Sequence, residues 1–114
     1  MSEIKNLTLR SGWSVFASAM GHGEPFRASN LRGTSGSVSD SFGGCGRLYT
    51  CRCGFGELYR ASAAADGVAY TVRSFHTPIA FRSVSGEWHM DKCHYSNRTT
   101  RHQNLISAAI DRAL

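Results

Sequence analysis

Two stretches of the chain carry a hydrophobic rhythm clear enough to name an element. Beyond residue 100, Leu105, Ile106, Ala109, Ile110 and Ala113 recur at helical spacing, with Arg101, Asn104, Ser107 and Asp111 between them. This predicts an amphipathic helix whose apolar stripe lies on a sheet and whose polar face meets water. Thr100 followed three residues later by Gln103 reads as a capping box, in which the hydroxyl and the amide each satisfy an orphan backbone donor. From Val68 to Phe75 the period drops to two. Val68, Tyr70, Val72 and Ser74 fall on one face, and Ala69, Thr71, Arg73 and Phe75 on the other, as in a strand. Residues 79–84 and 87–90 flank Ser85-Gly86, which suits a two-residue hairpin turn, and Trp88 and Met90 share a face of the second arm. Pro78 cannot donate to a ladder, so Thr77-Pro78 marks an edge position or a bulge between strands.

Elsewhere the pattern is weaker. Residues 13–20 alternate imperfectly, with Trp13, Val15, Ala17 and Ala19 on one side and Phe16 and Met20 on the other. This suggests a strand, buried on both faces or short and at a sheet edge. Residues 21–25, GHGEP, break it. Residues 1–10 are polar and expected to be loosely held. From Phe26 to Gly56 the chain is rich in Gly and Ser, with GTSGSVSDSFGGCG at 33–46, and reads as a long irregular loop. Residues 57–66, ELYRASAAAD, hold strong helix formers that stop before Gly67, giving a helix of two to three turns. The expected fold class is α+β. It is a single domain over residues 1–114, with a small, mainly antiparallel sheet, the C-terminal helix packed on one face, and a second short helix.

Composition narrows the classes without choosing among them. The 114 residues are 41% hydrophobic, as in globular proteins, and no apolar run approaches the ~20 residues that cross a bilayer. The N-terminal segment lacks the apolar core of a signal peptide, so the cytoplasm is the expected compartment. The net charge of +5 is carried almost wholly by arginine, since only Lys5 and Lys92 are lysines. Arginine's planar fork suits phosphates and carboxylates, which favours an anionic partner such as nucleic acid. The competing account is a set of ordinary solvated faces, because the arginines are scattered along the chain. Arg27, Arg32, Arg47 and Arg52, with Tyr49 among them, are the candidate binding residues.

The four cysteines are Cys45, Cys51, Cys53 and Cys93, the last beside His94. Their spacing, C-x5-C-x-C with one distant partner, departs from the paired knuckles of a zinc site. Free thiols are the expected state, with Cys45, Cys51, Cys53 and Cys93 the ligand set if zinc is bound. No cofactor is implied. The glycine-rich GGCGRLY lacks the lysine and serine of a phosphate-binding P-loop, and the few carboxylates show no acid–base spacing.

Residues Val72-Arg73-Ser74-Phe75-His76-Thr77-Pro78-Ile79-Ala80-Phe81, then Trp88, Tyr95-Ser96 and Thr99-Thr100-Arg101-His102-Gln103, resemble a family of small proteins encoded by actinobacterial phages and their relatives. That family shows V-x-S-Y-x-T-P-I-A-W, then W, then Y-S-x-T-T-x-x-H-Q. The likeness covers about the last third of the chain. Phe75 and Phe81 stand where the pattern has Tyr and Trp, and one residue between Thr100 and His102 is missing. The segment Phe26 to Gly33 echoes a fainter N-terminal motif. The resemblance implies a phage origin and action in the host cytoplasm, and it brings no activity with it.

A nucleophile–base pair in this segment would need Ser96 or Thr99 within reach of His102, whose pKa the helix N-terminus would lower. Architecture already employs these groups. Thr77 and Pro78 form a bend, Trp88 packs, Tyr95 leads into the helix, Thr100 and Gln103 cap it, and His102 ties its start to the hairpin. No catalytic residue is therefore assigned. The expected function is a non-enzymatic accessory protein binding a host or phage protein through the Gly/Ser/Cys-rich middle. The alternative is nucleic-acid binding through the arginines and neighbouring aromatics.

Overall fold

The computed structural model describes residues 5–8, 10, 12–36, 55–65, 67–74, 77–90 and 97–113. Six strands form one sheet in chain order: β1 (Lys5–Asn6), β2 (Phe26–Ala28), β3 (Leu31–Ser35), β4 (Val68–Ser74), β5 (Thr77–Ser83) and β6 (Trp88–Met90). β1 runs parallel to β2, and every other neighbouring pair is antiparallel. The helices are α1 (Trp13–Gly21), α2 (Phe55–Ala64) and α3 (Asn97–Ala113). The α+β architecture read from the sequence is what the chain adopts, with a third helix that the sequence reading lacked.

That third helix is α1, where a strand was expected. Phe16, Ala17 and Met20 are buried and Trp13 packs against them, the i, i+3, i+4, i+7 spacing of a helical stripe. The eight-residue segment fits both periods, and the helix wins because it buries Phe16, Ala17, Ala19 and Met20 together against the sheet and α3. Its end is closed by Glu24 N–H donating to Ala19 O (2.9 Å) and Gly23 N–H to Met20 O (3.2 Å), the paired bonds of a Schellman stop. Arg112 of α3 lies over the Trp13 ring, 5.7 Å from its centroid, which pins the two helices to each other.

The core lies between one sheet face and these two helices. From the sheet come Phe26, Ala28, Leu31, Tyr70, Val72, Ile79 and Ala80, and from α3 come Ile106 and Ala109. The register of β4 with β5 slips between the Val72–Ala80 pair and the Arg73–Pro78 pair. The extra residue is Ile79, and the bulge turns both Ile79 and Ala80 into the core. Pro78 therefore marks a bulge, beyond the reach of β6, which pairs only with Ala80, Phe81 and Arg82. On β3, Gly33 sits opposite Phe26, whose ring lies where a Cβ at Gly33 would be. The absence of a side chain lets two aromatic groups, Phe26 and the Tyr70 hydroxyl, fill that space.

Other boundaries differ from the sequence reading. Residues 26–35 form a hairpin instead of a loop, and Lys5–Asn6 join the sheet instead of lying loose. Gly and Ser within β3 hid the strand, but Leu31 and Gly33 alternate inward with Arg32 and Thr34 outward. The β5–β6 turn is closed by Ser83 N–H to Glu87 O (2.8 Å), so its loop is Val84-Ser85-Gly86, three residues and not two. Gly86 takes φ 101°, the left-handed position such a loop requires. Helix α3 starts at Asn97, three residues before Thr100, so Thr100 and Gln103 are within the helix and form no capping box at its start. The helix α2 and strand β4 match their predicted spans closely.

Candidate functional site

The second sheet face is divided. Over β4 and β5 it is covered by α2, where the buried Tyr59 bonds its hydroxyl to Thr71 Oγ1 (3.0 Å) and sets its ring edge-on to Phe81 at 5.2 Å. Phe81 in turn stacks on His89 at 4.8 Å. Thr71 Oγ1 also donates to Gly36 O (2.9 Å), which fixes the end of β3.

The other half of this face carries charge. Asn6 pairs with Arg27, Arg27 with Arg32, and Arg32 with Arg73. Directly paired residues of neighbouring strands point to the same side. Four consecutive strands thus present one row of donors, Asn6–Arg27–Arg32–Arg73, on the side away from the core. Alternation along each strand enforces this, because Phe26, Ala28, Leu31, Gly33, Val72 and Ser74 are buried on the other side. With strands about 4.8 Å apart, Arg27 and Arg73 are rooted roughly 10 Å from each other. Arg27 is exposed, and Arg32 and Arg73 are half-buried.

Among the described residues, no carboxylate pairs with the row. The ion pairs between described residues are His22–Glu24 (3.9 Å) and His89–Glu87 (3.7 Å), neither on the row. Like charges directly opposite one another destabilise a sheet. Two unit charges ~5 Å apart repel by about 1 kcal/mol even in water, less where the guanidinium groups splay. Arg73 Nε and Thr34 Oγ1 are both buried without a hydrogen-bond partner. Thr34 is two residues beyond Arg32 on the same face of β3, so the two idle polar atoms flank one patch. A buried donor with nothing to bind costs about 1–3 kcal/mol. Arg82 Nε is also buried and unpartnered, but it belongs to the opposite face, in the row of Tyr70 and Trp88.

Of the sequence-predicted binding residues, Arg27 and Arg32 are brought together here, while Arg47, Tyr49 and Arg52 lie outside the described residues. Arg73 was missed. The alternation of β4 put it on the correct face, but only the register makes it the neighbour of Arg32. Cys45, Cys51, Cys53, Cys93 and His94 also lie outside the described residues, and among those described no three potential ligands cluster to hold a metal.

The family-like segment is mainly architectural where it is described. Thr77 pairs with Ser74, Pro78 is buried at the bulge, and Trp88 meets the Tyr70 ring edge-on at 6.0 Å. Tyr95 and Ser96 are outside the described residues, as is the Thr99 side chain. His102 Nδ1 and Ser74 Oγ are hydrogen-bonded at 2.6 Å, tying α3 to β4. This is a serine–histidine pair, but Ser74 is 1% exposed and His102 4%, so packed side chains exclude a substrate. Burial lowers the His102 pKa below its usual value, where the sequence reading had invoked the helix N-terminus. Thr100 is half-buried and Gln103 buried on the same helix. Burial also raises the Tyr70 pKa, with the Glu24 charge adding to it, so its phenol stays protonated and donates to Glu24 O (2.5 Å).

A shallow cleft of about 290 Å³ lies between α2 and the β5–β6 turn, with Leu58 and Ala61 on one side and Ser83, Ser85 and Glu87 on the other. Its hydroxyls serve the turn, since Ser83 Oγ bonds Ser85 Oγ at 2.7 Å and Glu87 N–H donates to Ser83 Oγ at 3.3 Å. No helix among the described residues is long and apolar enough to cross a membrane. Comparison with known proteins finds no family model that matches the chain, and no similar curated protein or solved structure.

Proposed function

We propose that this is a non-enzymatic nucleic-acid-binding protein whose contact surface is the open sheet face of β1 to β4. The observation that carries the reading is the cross-strand row Arg27–Arg32–Arg73, three cations in register that no carboxylate among the described residues pairs with. A sheet tolerates such a row at a cost that a bound phosphate chain removes. Arginine forks match phosphate oxygens two at a time, and nucleic acid supplies a negative charge at every nucleotide whatever its sequence. The resemblance to phage-encoded proteins supports action in an infected host cell. The reading with a host or phage protein as partner rests on Arg47, Tyr49 and Arg52, so it draws no support from the described residues.

The test is fluorescence anisotropy of labelled nucleic acid, titrated with protein over a range of NaCl concentrations. Binding that weakens steeply with salt, and that falls in Arg27→Gln and Arg32→Gln, is expected. Absence of binding at low salt, or affinity unchanged by both substitutions, overturns the reading.

A further inference from the structure

The shape of the charged face narrows the partner. We infer that the arginine row grips one nucleic-acid strand by its phosphodiester backbone and disfavours a duplex, an inference that rests on the reading above. The row runs across the strands, from Asn6 on the two-residue edge strand β1 to Arg73 on β4. Beyond β4, α2 stands on the same face, anchored by Tyr59 to Thr71 and Phe81. Among the described residues, the surface left uncovered is a ledge four strands wide, about 14 Å from Asn6 to Arg73. A helix roughly 10 Å thick walls one side of it. A single backbone can lie on such a ledge. A duplex is a stiff cylinder with phosphates on both rims of its grooves, and it meets the wall before more than one rim can reach the arginines.

The chemistry along the ledge points the same way. Arg32 and Arg73 are directly paired and half-buried. These groups form an inner phosphate position, and Arg27 with Asn6 forms an outer one toward the open edge. Among the described residues, the aromatic rings on this side are Tyr59 of α2 and Phe81 beneath it, and both are buried. The row itself recognises backbone and charge, and its affinity comes from counterion release.

The test compares a 20-nucleotide oligothymidine with a 20-base-pair duplex in anisotropy titrations of the full chain, with polyglutamate of similar length as competitor. Two phosphate positions on a single strand predict a log–log salt slope of about −1.4, and loss of one changes it by roughly 0.7. The oligothymidine should bind at least tenfold more tightly than the duplex. Arg32→Gln and Arg73→Gln should each weaken it about tenfold and flatten the slope. The exposed Arg27→Gln serves as the variant least able to disturb folding, and circular dichroism checks all three. Equal binding of duplex and single strand, with both sensitive to the substitutions, overturns the single-strand inference and leaves nucleic-acid binding standing. If neither nucleic acid binds, or polyglutamate displaces oligothymidine charge for charge, nucleic-acid binding itself falls.

Discussion

Gly33→Ala isolates the packing that holds the arginine row in register. A Cβ at Gly33 would overlap the Phe26 ring and the Tyr70 hydroxyl. Neither neighbour can retreat easily. Phe26 is 1% exposed and set edge-on to Phe16 at 5.1 Å, and Tyr70 is fully buried with its hydroxyl bonded to Glu24 O. Overpacking of a filled core costs about 1–3 kcal/mol. Displacing the Tyr70 hydroxyl from Glu24 O adds about 1 kcal/mol. The expected loss is therefore about 2–4 kcal/mol, a large share of the ~5–15 kcal/mol that stabilises a typical domain. At ~4 °C per kcal/mol for a chain of this size, melting falls by roughly 8–16 °C. Urea and thermal denaturation followed by circular dichroism measure it. A second variant separates steric overlap from a backbone effect, because Phe26→Leu removes the ring tip and should recover about 1 kcal/mol or more when combined with Gly33→Ala. A Gly33→Ala protein within about 0.5 kcal/mol of the parent, or an unchanged penalty in the Phe26→Leu background, would refute the reasoning.

Two further predictions concern charge. Because burial depresses the His102 pKa, its neutral form is favoured on folding. Above its unfolded pKa of about 6.5 the ring is neutral in both states and exacts no penalty. As pH falls below that value the unfolded chain binds a proton that the folded one resists, so stability declines until the folded pKa is reached. The urea midpoint should drop between pH 7.5 and pH 5, and the drop should shrink in His102→Gln; an undiminished drop in the variant assigns the acid sensitivity elsewhere. Arg73→Met should move stability and binding in opposite directions. Removing an idle buried Nε and one of three adjacent cations raises stability by about 1 kcal/mol, while oligothymidine binding weakens, and a variant that loses stability contradicts the assignment of Nε as an unused donor.

The parts of the fold legible in the sequence share a feature, a period sustained long enough to exclude its rival. Strand β4 alternates over seven residues, and α3 repeats its stripe over more than three turns. α1 has nine residues and β3 five, with Gly and Ser inside it, so neither pattern is long enough to exclude a rival. The candidate site illustrates a second limit. Arg27, Arg32 and Arg73 are separated by up to 46 positions, and nothing local relates them. Their alternation placed each on a face, but adjacency depends on which strands pair and at what offset. A one-residue slip of β3 against β4 would send Arg32 and Arg73 to opposite sides.

The sequence by itself determined the class of the fold, the long C-terminal amphipathic helix, the β4 alternation and an arginine-dominated positive charge, because these depend on composition and on neighbours three or four residues apart. Only the tertiary structure decided that Trp13–Gly21 is a helix, that Ile79 enters the core through a bulge, and that three distant arginines stand in one line. Those outcomes depend on contacts between residues far apart in the chain. Burial of aromatic side chains against a shared sheet face outweighs local preference there, and strand register converts scattered charges into a site.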